Sequence, residues 1–153
     1  PFGFGLSYTS FRYEVVSAPP APVSLAPLAA LLREAGDSPF VRLRDADAAG
    51  AAAGYAVKVS NAGSVDSDDV VLGFLTPPGA GEGGVPLQVL FGFERVHVRA
   101  GESATVWLYP SLLDFSQVDG RGRRHALGGE YGVRFGVQAG LPGVGYAELR
   151  LTA

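Results

Sequence analysis

The densest cluster of groups suited to acid–base or metal chemistry is a run of three aspartates, Asp66, Asp68 and Asp69. They lie at a predicted turn directly before a strand, where solvated acids are common. A calcium loop would spread its oxygen ligands over about a dozen residues, and no such loop surrounds these acids. We therefore interpret the cluster as part of a turn and predict no catalytic residue in this chain.

The two histidines, His97 and His125, are the next candidates for metal binding. Neither has acidic or cysteine partners at the spacing that a zinc site needs. The chain also lacks cysteine, which excludes disulfides and thiolate ligands. We predict no metal site and no cofactor.

Two groups of charges have more than one interpretation. Glu94 and Arg95 could form an ion pair or contact another domain, but a solvated strand face is favoured because such pairs contribute little energy. The compact basic turn at 121–124 could bind an anionic partner, but a solvated hairpin tip is favoured.

Trp107 and Tyr109 are two positions apart on a predicted strand, so their side chains point to the same side. Such a pair could form a sugar-stacking platform or seal a domain interface. In a β-sandwich, however, a buried core position is the favoured interpretation for two neighbouring aromatic residues.

Composition limits the class of protein. The 153 residues fit one domain, 47% are hydrophobic and 18% are charged, which is typical of a globular chain. The net charge of −3 and the lack of a basic stripe argue against a nucleic-acid partner. No stretch approaches the roughly 20 apolar residues of a membrane helix, so we expect no membrane partner.

Short segments with period-2 hydrophobicity, separated by turn signals, predict an all-β fold. About seven or eight strands at this spacing indicate an antiparallel fibronectin type III or Ig-like β-sandwich. The predicted strands cover 11–16, 55–60, 69–76, 87–98, 103–109, 112–118, 130–137 and 146–151, with 69–76 as a central strand buried on both faces.

Residues 18–54 differ in character from the rest. Their Pro/Ala-rich composition indicates a surface insertion or linker. It separates residues 1–17, which contain the start of the chain and the first strand, from residues 55–153, which form the remainder of the single domain. Within the insertion, Ser24, Pro27 and Gly36 are placed to cap, begin and end one short helix over 25–33. A short edge strand is predicted at 40–44, followed by a flexible connection at 46–54.

The first nine residues read Pro-Phe-Gly-Phe-Gly-Leu-Ser-Tyr-Thr, and we call residues 1–9 the N-terminal segment. This motif resembles the start of the C-terminal fibronectin type III-like domain of glycoside hydrolase family 3, the β-glucosidases and β-xylosidases. Further stretches resemble that family in the same order along the chain, at 57–66, 70–78, 86–96, 100–106, 113–123 and 129–131. Gln88, the Gly-rich stretch 79–85 and residues 18–53 depart from the family pattern.

The resemblance implies a non-catalytic accessory domain that braces upstream catalytic domains of the same chain, which would contact the carbohydrate substrate. The parent enzyme is expected to hydrolyse terminal non-reducing β-D-xylosides or β-D-glucosides with retention, and Val96-His97-Val98 inclines the resemblance towards β-xylosidases. A carbohydrate-binding or protein-interaction module is the alternative. The family also implies an extracellular or secretory location.

We expect the N-terminal segment to be the middle of a longer polypeptide and to contact the missing domains. Its candidate inter-domain residues are Phe2, Gly3, Phe4, Gly5, Leu6 and Tyr8, and part of their apolar surface should be exposed in this chain alone. The loop 76–87 is the second candidate, either as a rim of the active site or as a disordered surface loop. Its candidate contact residues are Pro77, Pro78, Glu82 and Pro86.

Overall fold

A computed structural model describes residues 5–20, 22–36, 54–137 and 145–153. Two antiparallel sheets form a sandwich, and a short ribbon lies beside them. The three-stranded sheet has the order β1-β2-β5 and the four-stranded sheet the order β4-β3-β8-β9, while β6 and β7 form the ribbon. The strands are β1 (Phe11–Ser17), β2 (Tyr55–Asn61), β3 (Ser67–Thr76), β4 (Val89–Val98), β5 (Ser103–Leu108), β6 (Ser116–Val118), β7 (Arg124–Ala126), β8 (Glu130–Gly136) and β9 (Tyr146–Thr152).

The all-β sandwich prediction is confirmed. Seven strands form the two main sheets, which agrees with the expected number, and the ribbon adds two strands of three residues each. Period-2 alternation directs Tyr55, Val57 and Val59 of β2 into the core, where all three are fully buried. Leu75, Val133 and Phe135 meet them from the four-stranded sheet.

The prediction of a central strand buried on both faces is also confirmed, since β3 is buried continuously from Val71 to Leu75. Val71 and Leu75 belong to the main core. Leu72 and Phe74 point to the other side of the sheet and form a second small cluster with Val137. The four-stranded sheet therefore carries apolar side chains on both of its faces.

The short helix predicted in the insertion is present as α1 (Ala26–Ala35), with Pro27 in its first turn and Gly36 beyond its end. The residue at the cap position is Leu25 rather than Ser24, because the helix begins at Ala26. The Ser24 hydroxyl, one residue earlier, accepts a long hydrogen bond of 3.4 Å from the backbone N–H of Ala26. Leu28 is fully buried in the main core, and Leu32 packs against it. Helix α1 is therefore docked on the core through Leu28, and burying a leucine side chain stabilises the fold by about 2 kcal/mol. The interpretation of residues 18–54 as a surface insertion or linker stays a prediction.

The predicted strand at 112–118 is only partly correct. Residues Leu112–Phe115 form a 3-10 helix, with Ser111 and Asp114 making reciprocal capping hydrogen bonds, and only Ser116–Val118 are extended. This local capping, together with the burial of Leu112 and Phe115, outweighs the strand preference of the sequence. The predicted strand at 40–44 and nearly all of the connection 46–54 lie outside the described residues.

Helix α1 has ten residues, and within the described ranges no helix has the length and apolarity needed to cross a membrane.

Candidate functional site

The N-terminal segment is fastened to the sandwich at Thr9, which is buried. The Thr9 hydroxyl donates a hydrogen bond to Oδ1 of Asn61 at 2.6 Å, and the backbone N–H of Ala62 donates to the carbonyl of Ser10 at 2.7 Å. Gly63 is required beside this contact, because a Cβ on it would lie 2.1 Å from the Thr9 hydroxyl. The Asn-Ala-Gly turn after β2 therefore holds the N-terminal segment in place.

Beyond this anchor the segment leaves its apolar side chains in solvent. Leu6 is 96% exposed and Tyr8 is 97% exposed. Both line a cavity of about 250 Å³ that also contacts Tyr13, Val70 and Val137. The expected exposed apolar surface is thus present at these two residues, and Gly5 is exposed with open space around it. Phe2, Gly3 and Phe4 lie outside the described residues.

The glycine-rich loop after β3 is a compact series of turns. Its backbone hydrogen bonds include Gly81 to the Val85 carbonyl and Val85 to the Glu82 carbonyl, and positive φ at Gly79, Gly81, Gly83 and Gly84 permits the tight path. Pro77 is buried and Pro78 packs near Gly129, whereas Glu82 and Pro86 are exposed. The backbone of this loop is therefore ordered by its own hydrogen bonds. A role of the loop at the rim of an active site stays a prediction.

Trp107 and Tyr109 lie on the outer face of the three-stranded sheet. The favoured core interpretation was wrong, because the two side chains are 49% and 58% exposed. Their rings are nearly parallel, at 13°, with centroids 6.2 Å apart. The Tyr109 ring also covers Gly54, where a Cβ would lie 2.3 Å from the ring. Both remaining interpretations, sugar stacking and domain contact, need such exposed rings.

A second exposed aromatic group, which the sequence reasoning missed, lies on the outer face of the four-stranded sheet. Phe93 is 65% exposed and stands opposite Leu72 in the β3–β4 register. Leu90 stands opposite Phe74 in the same way. The signal was present in Val-Leu-Phe-Gly-Phe at 89–93, because a strand that is apolar at successive positions has apolar side chains on both faces.

The acidic cluster before β3 is engaged in structural contacts. Asp66 accepts a hydrogen bond from the backbone N–H of Ala100 at 2.8 Å. Asp69 accepts one from the hydroxyl of Tyr13 at 2.7 Å, and burial together with this carboxylate raises the pKa of Tyr13. Asp68 contacts His97 and Arg95 across the strand pair. Among the described residues no group of three or more His, Asp or Glu is arranged to hold a metal ion.

The pairing of Asp68 changes two expectations about neighbouring charges. His97 does have an acidic partner, since its Nδ1 lies 2.6 Å from Asp68 Oδ1. Arg95 bonds Asp68 through Nε at 2.9 Å, so the partner of Arg95 is not its neighbour Glu94. The hydrogen bonds from His97 and then from Arg95 hold the pKa of Asp68 below its usual value. All three side chains remain substantially exposed, as the solvated strand face predicts.

The basic turn is a hairpin tip between β6 and β7, as favoured. Asp119 accepts hydrogen bonds from the backbone N–H groups of Arg123 and Arg121, both at 2.9 Å. These hydrogen bonds lower the pKa of Asp119, and the one from the backbone of Arg123 contributes most. The Arg123 side chain folds back onto the same carboxylate, and Arg124 bonds Ser116.

Comparison with known proteins agrees with this architecture. The family described as the fibronectin type III-like domain matches residues 69–139. Beta-D-xylosidase 1 of Arabidopsis thaliana is 34% identical over 143 residues, covering 89% of this chain and 18% of that protein. The crystal structure of the Bifidobacterium adolescentis GH3 beta-glucosidase superposes with a TM-score of 0.63 at 25% identity, covering 99% of this chain and 18% of that one. The chain belongs to the fibronectin type III-like domains of glycoside hydrolase family 3.

Relatives named for different sugars resemble this fibronectin type III-like domain. Beta-glucosidase A of Butyrivibrio fibrisolvens is 33% identical over 124 residues, covering 80% of this chain and 13% of that protein. The domain spans less than a fifth of the length of each of these relatives.

Proposed function

We propose that this domain is a non-catalytic, C-terminal accessory unit that braces the other domains of a family 3 glycoside hydrolase. The observation that carries the proposal is the geometry of the N-terminal segment. Thr9 is buried and hydrogen-bonded to the sandwich, while Leu6 and Tyr8 are almost fully exposed. Two large exposed apolar side chains next to a buried, hydrogen-bonded residue are suited to packing against a neighbouring domain.

The engagement of the acids supports a non-catalytic role. A retaining glycosidase needs two carboxyl groups about 5–5.5 Å apart, one of which attacks the sugar. Asp66, Asp68 and Asp69 instead accept hydrogen bonds from Ala100, His97 and Tyr13. We infer that the nucleophile and the acid/base group belong to upstream domains of the same chain.

The proposed substrate class is that of the relatives, whose names specify β-xylosides in several cases and β-glucosides in another. The parent enzyme would hydrolyse terminal non-reducing β-D-xylosides or β-D-glucosides with retention of configuration. Its carbohydrate substrate would be held by the upstream domains. An extracellular or secretory location is part of the same proposal.

The bracing role is tested in the full-length enzyme with the double variant Leu6→Ser/Tyr8→Ser. We expect a lower unfolding temperature and faster cleavage by protease between the domains, because the variant removes apolar area from the contact. Val118→Ser is the matched control, since Val118 is a half-exposed apolar residue on the β6–β7 hairpin. Equal unfolding temperatures for the double variant and the control would contradict bracing. The isolated 153-residue chain should not hydrolyse aryl β-xylosides or β-glucosides.

The exposed pair Trp107 and Tyr109 favours a second candidate function, a carbohydrate-binding module. Nearly parallel exposed rings offer faces on which sugar rings could stack. Pull-down on insoluble xylan and cellulose tests this candidate. Binding that is lost in Trp107→Ala, with the circular dichroism spectrum unchanged, would support this candidate. A lack of binding by the unsubstituted 153-residue chain would reject it.

A further inference from the structure

The outer face of the four-stranded sheet carries a patch of apolar side chains from two paired strands. Val70 and Leu72 come from β3, and Leu90 and Phe93 from β4, with Phe74 beside Leu90 in the register. Phe93 is 65% exposed, and Val70 and Leu90 are close to 40% exposed. We call Val70, Leu72, Phe74, Leu90 and Phe93 the Phe93 face.

This arrangement is unusual for a sheet face that meets water. The outer face of an antiparallel sheet normally carries polar residues, and contiguous apolar patches on a surface usually mark interaction sites. Leu72 and Phe74 are nearly buried and pack with Val137, so they form an apolar base under the exposed residues. The opposite outer face, on the three-stranded sheet, carries the charged residues Arg12, Glu14 and Lys58 around its aromatic pair.

The Phe93 face is continuous with the N-terminal segment. Val70 and Val137 line the cavity of about 250 Å³ that Leu6 and Tyr8 also line. Val70 belongs to the Phe93 face, and Val137 packs with Leu72 and Phe74 of that face. Residues 5–8 thus lie beside this face.

Polar groups surround the apolar centre. Arg95 and His97 lie at one end of β4, paired with Asp68. At the other end Arg134 lies over the Phe74 ring, 4.9 Å from its centroid, and bonds Gln88. An apolar centre with a polar rim is the anatomy of a protein–protein interface.

We propose that the Phe93 face is the surface on which the rest of the same polypeptide docks. This inference rests on the proposed bracing function and specifies which side of the sandwich carries it. The occupant is an apolar surface of the upstream domains, because relatives of this chain are more than five times its length and residues 5–8 lie beside this face. The outer face of the three-stranded sheet, with Trp107 and Tyr109, is left to solvent.

Hydroxyl-radical footprinting of the full-length wild-type enzyme tests the inference without any substitution. Oxidation of Tyr8, Phe93, Trp107 and Tyr109 is measured by peptide mass spectrometry and normalised to the same protein unfolded in denaturant. The centre of an interface is packed like a protein interior, so we expect oxidation of Phe93 to fall by about an order of magnitude relative to unfolded protein. Trp107 and Tyr109 should retain about half of theirs, in line with exposures of 49% and 58%.

The outcomes separate this inference from the proposed function. Protection of Tyr8 and Phe93, with oxidation of Trp107, supports both. Protection of Trp107 and Tyr109 with Phe93 oxidised overturns the assignment of the face and leaves bracing intact. Oxidation of Tyr8, Phe93 and Trp107 together overturns both the bracing function and the docking face. Protection of all three overturns the claim that the outer face of the three-stranded sheet is left to solvent.

A matched pair of variants gives an independent readout. Phe93→Ser and Trp107→Ser each remove an exposed aromatic side chain from the outer face of one sheet. In the full-length enzyme we expect Phe93→Ser to lower the unfolding temperature and Trp107→Ser to leave it nearly unchanged. The reverse order would overturn the proposed docking face.

Discussion

Thr9 and Asn61, which are 52 positions apart in the sequence, share a buried hydrogen bond of 2.6 Å between the threonine hydroxyl and the amide oxygen. The same amide oxygen accepts the N–H of Gly63 at 3.1 Å. Its amide nitrogen donates to the carbonyls of Val65 at 2.8 Å and Val98 at 3.0 Å. One side chain thus connects the N-terminal segment, the turn after β2 and the end of β4.

Replacing Asn61 by Ala should therefore destabilise the domain strongly. The substitution leaves several buried polar groups without partners, which costs about 3 kcal/mol of unfolding free energy. Urea unfolding of the 153-residue chain measures this loss. The matched control is Ser60→Ala, whose hydroxyl contacts Ser103 at the surface, and it should change stability by less than about 0.5 kcal/mol. Equal effects of the two substitutions would refute the role given to Asn61.

Truncation of Leu28 tests whether helix α1 is part of the core. Leu28 is fully buried, so Leu28→Ala should lower the unfolding free energy by about 2–5 kcal/mol. Ala29→Ser on the exposed side of the same helix serves as the control and should cost much less. A Leu28→Ala loss below about 1 kcal/mol, measured by urea unfolding, would show that the helix is dispensable.

Two buried tyrosines should respond differently to loss of the hydroxyl. The Tyr131 hydroxyl donates to the Leu127 carbonyl at 2.6 Å, so Tyr131→Phe should cost about 1 kcal/mol. The Tyr55 hydroxyl is buried and has no hydrogen-bond partner among the described residues. Tyr55→Phe should therefore be neutral or stabilising. Thermal unfolding at neutral pH compares the two variants, and a larger loss for Tyr55→Phe would contradict this expectation.

Burial raises the pKa of Tyr55 to about 12. Because the pKa of Tyr55 is higher in the folded state, the stability that this neutral hydroxyl contributes is fully present below the unfolded-state pKa of about 10. It is lost as the pH rises towards 12. We therefore expect the unfolding temperature of Tyr55→Phe to fall less steeply than that of the parent chain between these two pH values. Parallel curves would contradict the assignment.

The ion pairs of the Asp68 carboxylate should stabilise the fold only at pH values at which this carboxylate is ionised. Its pKa is lowered in the folded state from the usual 3.8, so the contribution is present above that value and is lost as the pH falls through the folded-state pKa. Asp68→Asn should lower the unfolding temperature at neutral pH, and its curve should approach that of the parent in acid. Glu102→Gln removes the same charge from another exposed site and is the control at neutral pH, where it should change the unfolding temperature much less than Asp68→Asn.

Much of the fold could be worked out from the residues alone. Period-2 alternation placed β2, β5 and β8 correctly, because inward and outward positions in a half-buried strand differ in polarity. The helix signals around Pro27 and Gly36 were also sufficient, since they act within a few residues. The family resemblance of the N-terminal segment likewise needs only the order of residues.

Tertiary structure decided the features that depend on which segments meet. The partnership of Asp68 with His97 follows from the β3–β4 register, which joins residues far apart in the chain. Whether Trp107 is core or surface depends on what covers the outer face of its sheet, and alternation cannot specify that. The burial of Leu28 and the bonds of Asn61 arise in the same way, from packing between distant segments. Local preference sets the strands, but pairing and coverage set what each side chain can contact.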